Sequence, residues 1–162
     1  MADSLMQYST TITSPGDQDV LSICDQEIDS CNPSYFAQLL EGDVSIAIRI
    51  RAVCILAEIG NKDSIPILRK ILKHDMNPLV RHEAAFTMGQ LGYDSATDVL
   101  VYAMLNDDNV LVRHESAAAL GSVGDESSRR ALMKATNDID EFVAQSALVA
   151  LLNLDYLSSK AK

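Results

Sequence analysis

A segment of about 13 residues recurs along this 162-residue chain at a spacing of 32. Its clear copies cover residues 48–60, 80–92 and 112–124, and a degenerate fourth copy covers residues 143–155. A repeat of this length contains one supersecondary unit, which buries its apolar face only by stacking on its neighbours. The repeat therefore predicts a row of similar units rather than a closed globular topology.

Apolar residues within each copy follow the helical period. In the second copy Val80, Ala84, Met88 and Leu91 form one stripe, and a glycine ends each clear copy as a C-terminal stop signal. Further amphipathic segments lie between the copies, at residues 65–72, 97–105 and 127–135. The sequence therefore predicts an all-α fold, an α-solenoid of about four helix pairs, with one more helix near residues 19–30.

The composition of the copies resembles that of HEAT-like repeats, which also occur in phycobilin lyases. We expect the repeats at about residues 33–60, 62–92, 94–124 and 126–157, within a repeat domain spanning residues 18–162. Residues 1–17 have no such periodicity and are expected to form a mobile N-terminal tail.

The charge and composition of the chain limit the classes of partner and the compartment that are expected. The chain has 13 Lys and Arg against 23 Asp and Glu, a net charge of −10. DNA- or RNA-binding surfaces need clustered positive charge, so we expect no nucleic-acid partner and favour a basic one. Three cysteines without a C-x-x-C pair indicate a reducing compartment. Neither a signal peptide nor a membrane-spanning run is visible, so a cytoplasmic protein with no membrane partner is expected.

An arginine recurs near the start of the first three copies, as Arg49, Arg81 and Arg113. An aspartate lies six residues before each of them, and the fourth copy keeps Asp138 but has Ala144 in place of the arginine. We expect these residues to form a ladder of ion pairs that ties successive repeats together.

Two of the three histidines, His82 and His114, occupy the same position in consecutive copies. Each precedes a glutamate, Glu83 or Glu115, whereas the first and fourth copies have other residues there. A solenoid as such does not need these pairs. A single histidine on a helix is usually structural, but two His-Glu pairs in register favour a functional site.

Residues in register on stacked helices, about 8–10 Å apart, can converge on one ion. Two histidines and a carboxylate suit non-haem iron with positions open for oxygen, although several divalent metals accept such donors. Small neighbours, which include Gly89 and Gly121, are expected to leave a substrate pocket above the histidines. The H-E-x-x-H zinc motif, a phosphate-binding loop and a nucleophile elbow are all absent from the sequence.

At these residues the sequence resembles the deoxyhypusine hydroxylase family. The stretches NPLVRHEAAFTMGQLG and NVLVRHESAAALGSVGD carry the resemblance, which extends over about residues 44–157. That family is a HEAT-like solenoid with a di-iron centre held by His-Glu motifs. It uses molecular oxygen to hydroxylate deoxyhypusine, a modified lysine, in the hypusine-bearing translation initiation factor 5A. The family enzyme has two similar halves, and this chain resembles one of them.

The resemblance implies a role for each motif residue. Iron, in a di-iron centre that uses Fe2+ and Fe3+, would be held by His82, His114 and Glu115, with molecular oxygen as co-substrate. Glu83 would be the catalytic, substrate-binding carboxylate that meets the cationic amine. A homodimer would supply the second half of the centre.

The alternative is a non-catalytic HEAT-like binding module or assembly scaffold, similar to relatives of phycobilin lyases. The register of the His-Glu pairs favours the enzyme, because a scaffold does not require it. The last helix, FVAQSALVALLNLDYL, is apolar on more than one face. We expect this helix, or the N-terminal helix around residues 20–28, to be buried by another subunit.

Overall fold

A computed structural model of the chain describes Val20 and residues 22–24, 32–42 and 44–160. Within these ranges the chain forms helices and turns, with no strand. The helices are α1 (Pro33–Glu41), α2 (Ile46–Ile59), α3 (Ser64–His74), α4 (Pro78–Leu91), α5 (Thr97–Asn106), α6 (Val110–Val123), α7 (Arg129–Ala135) and α8 (Glu141–Lys160). The predicted all-α solenoid is confirmed.

The N-terminal predictions are met only in part by what the structure describes. Val20 and residues 22–24 are helical, within the helix predicted near residues 19–30. The remainder of that segment and the predicted tail at residues 1–17 lie outside the described residues. No helix in the described part of the chain is long and apolar enough to cross a membrane.

The helices form successive pairs, and their second members make one continuous layer. In this second-helix layer α2 packs on α4, α4 on α6 and α6 on α8. The first helices α3, α5 and α7 contact one another and each packs on the second helix of its own pair. One apolar cluster runs through both layers and contains the fully buried Leu68, Met88, Leu100 and Leu120. Every repeat thus buries its apolar stripes against the next repeat.

Local signals start and stop the second helices at equivalent points. The side chains of Asn77 and Asn109 cap α4 and α6 by accepting hydrogen bonds from the backbone N–H groups two residues on, at 2.8 and 2.9 Å. Gly92 and Gly124 end the same helices with φ of 67° and 74°, a left-handed conformation that favours glycine. The two His-Glu pairs therefore occupy the same turn of adjacent helices.

The expected arginine–aspartate ladder is present and joins successive repeats. Arg81 donates from Nε and Nη2 to both carboxylate oxygens of Asp107, at 2.8 and 2.7 Å, and from Nη1 to the backbone carbonyl of Asp75 at 3.0 Å. Each arginine thus pairs with the carboxylate of the following repeat. The pairs are Arg49–Asp75 at 3.1 Å, Arg81–Asp107 at 2.7 Å and Arg113–Asp138 at 3.0 Å.

Two buried glycines set the spacing of the second-helix layer. A Cβ atom on Gly89 of α4 would lie 2.9 Å from the Cα and Cβ atoms of Ala119 in α6. A Cβ atom on Gly121 of α6 would likewise lie 2.9 Å from the Cα atom of Ala150 in α8. These distances are below van der Waals contact, so α4, α6 and α8 are as close together as helix backbones allow.

We predict that Gly89→Val lowers the free energy of unfolding by about 1–3 kcal/mol, because the added atoms meet helix backbone that has no room to move. The exposed neighbour Gln90 provides a matched control. Gln90→Val introduces the same β-branched residue into the same helix and is expected to cost less than about 1 kcal/mol. Urea unfolding of both variants measures the difference, and equal losses would contradict the close approach.

Candidate functional site

The predicted site residues lie where neighbouring second helices meet. His82 Nε2 in α4 is 3.3 Å from Glu115 Oε2 in α6. His114 Nδ1 in α6 is 2.5 Å from Ser146 Oγ in α8. In both contacts a histidine reaches the residue that follows its own equivalent in the next repeat. The inter-repeat register therefore selects Glu115, and not the adjacent Glu83, as the contact partner of His82.

Glu83 is on the other side of α4, toward α2. The Cys54 thiol of α2 donates a hydrogen bond to Glu83 Oε1 at 3.4 Å. Burial, and secondarily the Glu83 carboxylate itself, raise the pKa of the Cys54 thiol to about 11. The thiol therefore stays protonated at neutral pH and remains a donor to the carboxylate.

Sequence reasoning did not identify Cys54 as part of this arrangement. Its signal was its spacing, since Cys54 lies four residues after Ile50, the first-copy equivalent of His82, and so shares that residue's helix face. Together the contacts form a polar row across the second-helix layer. This polar row consists of Cys54, Glu83, His82, Glu115, His114 and Ser146.

The polar row is partly shielded from solvent. The His82 side chain is 31% exposed, and its partner Glu115 only 14%. The pKa of His114 is lowered, chiefly by burial and also by the nearby His82, while the Glu115 carboxylate opposes the shift. Burial therefore favours the neutral form of His114, which has a nitrogen lone pair. The three predicted metal ligands are close enough to influence one another electrostatically.

The ligand geometry is only partly preformed. Two atoms that ligate one ion at about 2.1 Å lie roughly 3.0–3.4 Å apart, which matches the separation of His82 Nε2 and Glu115 Oε2. His114 is adjacent but has its Nδ1 hydrogen-bonded to Ser146. Among the described residues no three His, Cys, Asp or Glu side chains form a cluster that could hold a metal ion. The donor types suit iron, two of the three predicted ligands meet, and the ligand assignment stays a prediction.

A groove lies beside His114, between α6 and α8. Its volume is about 750 Å³, and Gly121, Ala118, Val149 and Phe142 contribute to its walls. The Phe142 ring stacks on the imidazole of His114, with centroids 3.9 Å apart and planes inclined by 20°. This groove provides the expected space above the histidines on the side of His114.

The two glycines predicted to contact substrate have different positions. Gly121 contributes to the groove. Gly89 is buried where α4 meets α6, faces Ala119 and does not line this groove, and its role as a substrate contact stays a prediction. A Cβ atom on either glycine would lie the same 2.9 Å from the next helix, so what distinguishes Gly121 is the groove that it borders.

We predict that Cys54 reacts with iodoacetamide at pH 8 roughly tenfold or more slowly than a free cysteine, since its raised pKa leaves little thiolate. Glu83→Gln removes the neighbouring negative charge and is expected to speed the reaction. The more distant Glu58→Gln should have a smaller effect. Peptide mass spectrometry resolves the site, and protein unfolded in urea gives the unperturbed rate. An unchanged rate in Glu83→Gln would contradict the contact.

Comparison with known proteins places these features in context. A family model described as HEAT repeats matches residues 34–102 and 68–153. The solved structure of human deoxyhypusine hydroxylase in complex with glycerol is similar, with a TM-score of 0.73 and 26% sequence identity. The match covers 86% of this chain and 47% of that protein, so the chain spans about half its length. No curated protein matches the sequence.

Proposed function

The chain belongs to the HEAT-repeat family, and we propose that within it the chain is an iron- and oxygen-dependent hydroxylase of the deoxyhypusine hydroxylase type. The observation that carries the proposal is the contact of His82 with Glu115 across two repeats, with His114 beside them. Packing alone does not call for a histidine at these positions. The structural similarity to human deoxyhypusine hydroxylase supports the same assignment.

His82, His114 and Glu115 would hold the metal. When bound, iron supplies the activation of molecular oxygen that hydroxylation of an unactivated carbon requires. Glu83 would orient the substrate. Its Oε1 accepts the Cys54 hydrogen bond, which leaves Oε2 for the ammonium group of a modified lysine such as deoxyhypusine. The net charge of −10 would attract a basic segment of the protein substrate, proposed to be translation initiation factor 5A.

The proposal includes a second copy of the chain, because one chain has two His-Glu pairs and covers about half of the related protein. Exposed apolar side chains surround the polar row. Leu79 and Phe86 flank His82 on α4, and Leu111 precedes His114 on α6. Apolar residues around a polar site mark a surface that another molecule covers. A two-fold axis would bring four His-Glu pairs to one cavity and allow a di-iron centre, with two irons per two chains.

Helix α8 provides an independent argument for a second copy of the chain. At the position of the ladder arginines it has Ala144, and at the position of Gly89 and Gly121 it has Leu152, 68% exposed. On α4 and α6 the arginine and the glycine at these positions contact the next repeat. Both residues are therefore replaced on α8. Among the described residues, no Asp, Glu, Lys or Arg lines the groove beside it. Two strongly acidic copies can approach at such a surface without opposing like charges.

We predict that Glu115→Ala loses most of the iron taken up from anaerobic ferrous solution, because it removes a ligand. Glu83→Ala should retain the iron and lose turnover, since it removes only the substrate contact. Metal analysis and hydroxylation of a deoxyhypusine-bearing protein measure the two properties. Glu58→Ala removes an exposed carboxylate that pairs with Arg51 and serves as the control, with iron and turnover unchanged. Equal iron loss in Glu115→Ala and Glu83→Ala would show that the roles are assigned wrongly.

A non-catalytic binding module remains the second candidate, and the absence of a three-ligand cluster among the described residues favours it. The two candidates differ in metal uptake. Wild-type protein that binds no ferrous ion, even after anaerobic loading, would favour the module. Stoichiometric iron and a visible ferric chromophore after exposure to air would favour the hydroxylase.

We predict that Leu152→Lys converts a dimer of the chain into monomers, because it puts a charge into the apolar surface of α8. Light scattering on a sizing column measures the mass. Met133→Lys is the matched control, since Met133 is 59% exposed but lies on α7, among the first helices. Its mass should equal that of the wild type. A monomeric wild type, or a dimer that survives Leu152→Lys, would count against this surface.

A further inference from the structure

The hydroxyl group of Ser146, on α8, takes part in two hydrogen bonds. Its Oγ lies 2.8 Å from the backbone carbonyl oxygen of Phe142 and 2.5 Å from Nδ1 of His114. A carbonyl oxygen only accepts, so the single hydroxyl proton of Ser146 is donated to Phe142. The remaining contact therefore requires His114 Nδ1–H to donate to Ser146 Oγ.

A neutral imidazole has one N–H group, so a proton on one ring nitrogen leaves a lone pair on the other. With its proton on Nδ1, His114 presents a lone pair at Nε2. The stacked ring of Phe142 supports one face of the imidazole at 3.9 Å and limits its rotation. A half-turn of the ring about the Cβ–Cγ bond would put a carbon in place of Nδ1 and break the hydrogen bond to Ser146.

We propose that Ser146 is a positioning residue that, with Phe142, sets the tautomer and orientation of His114. In this arrangement Nε2 has the lone pair that can bind a metal ion. The tautomer follows from the hydrogen bonds alone, whereas its use for metal binding rests on the proposed function. Hydrogen bonds of this kind orient histidine ligands and increase their affinity for the metal. Ser146 occupies the register position of Glu83 and Glu115, so the fourth repeat contributes a support to the site in place of a ligand.

The two histidines are therefore held in different ways. His114 is oriented through Nδ1 and leaves Nε2 free, whereas His82 has Nε2 in contact with Glu115. A metal ion would find the His114 nitrogen already available. It would have to replace the direct contact between His82 and Glu115 by two bonds to itself.

The tautomer is measurable in the metal-free protein. Two-bond proton–nitrogen NMR correlations of 15N-histidine-labelled protein near pH 8 distinguish Nδ1–H from Nε2–H, and the chain has only three histidines. The exposed His74 provides an internal reference. We expect Nδ1–H for His114 in the wild type and in Ser146→Thr, which keeps the hydroxyl. Ser146→Ala should return His114 to the mixture seen for His74.

Ser122→Ala is the matched control. Ser122 also lines the groove, and its hydroxyl donates to the carbonyl of Ala118, four residues before it, rather than contacting a histidine. It should leave the His114 tautomer unchanged. A wild-type His114 in the Nε2–H form would overturn the proposal, and so would a Ser146→Ala variant with an unchanged tautomer. Neither tautomer measurement depends on metal binding. The wild-type spectrum is informative even if the variants do not fold.

Ferrous ion tests the consequence for binding. Anaerobic titration should show an affinity about 10–100-fold lower in Ser146→Ala than in the wild type, with recovery in Ser146→Thr. Equal affinities despite a changed tautomer would overturn the positioning role. If no form of the chain bound ferrous ion while the tautomers behaved as expected, the proposed hydroxylase function would fail and the hydrogen-bond assignment would stand.

Discussion

The close approach of the second helices is the constraint on which the rest of the structure depends. Gly89 and Gly121 let α4, α6 and α8 come together until a single added carbon would meet backbone at 2.9 Å. Side chains as short as serine and as rigid as histidine can then span from one helix to the next. A wider spacing would separate His82 from Glu115 and His114 from Ser146, and the polar row would become a set of isolated side chains.

The arginine–aspartate ladder complements this spacing by setting the offset between repeats. Arg81 joins the carboxylate of Asp107 in the next repeat to the backbone of Asp75 in its own. Planar, two-point bonding of this kind limits sliding of one helix along another. The glycines determine how near the helices lie, and the ladder determines their relative position. Both conditions are needed for a histidine to meet the residue that follows its equivalent in the next repeat.

The chemistry of the site changes from one end of the solenoid to the other. On α2 the polar row contains a thiol, that of Cys54, whose pKa is raised. Between α4 and α6 it contains an imidazole–carboxylate pair, and on α8 it contains a serine hydroxyl group. The proposed metal ligands His82, His114 and Glu115 therefore lie in the middle repeats, and the outer repeats contribute a thiol and a hydroxyl group. Ala144 and Leu152 make α8 different again, because they replace the residues that receive a further repeat.

The repeat, the helix termini and the positions of His82 and His114 were determined by the sequence alone, because periodicity, asparagine caps and closing glycines are local signals. Which atoms meet was decided only by the tertiary structure. The sequence shows Glu83 next to His82, yet His82 contacts Glu115, and the Cys54–Glu83 and Ser146–His114 contacts each join residues about 30 positions apart on different helices. These contacts depend on the distance and offset between helices, which result from packing and cross-repeat ion pairs rather than from the period of any one segment.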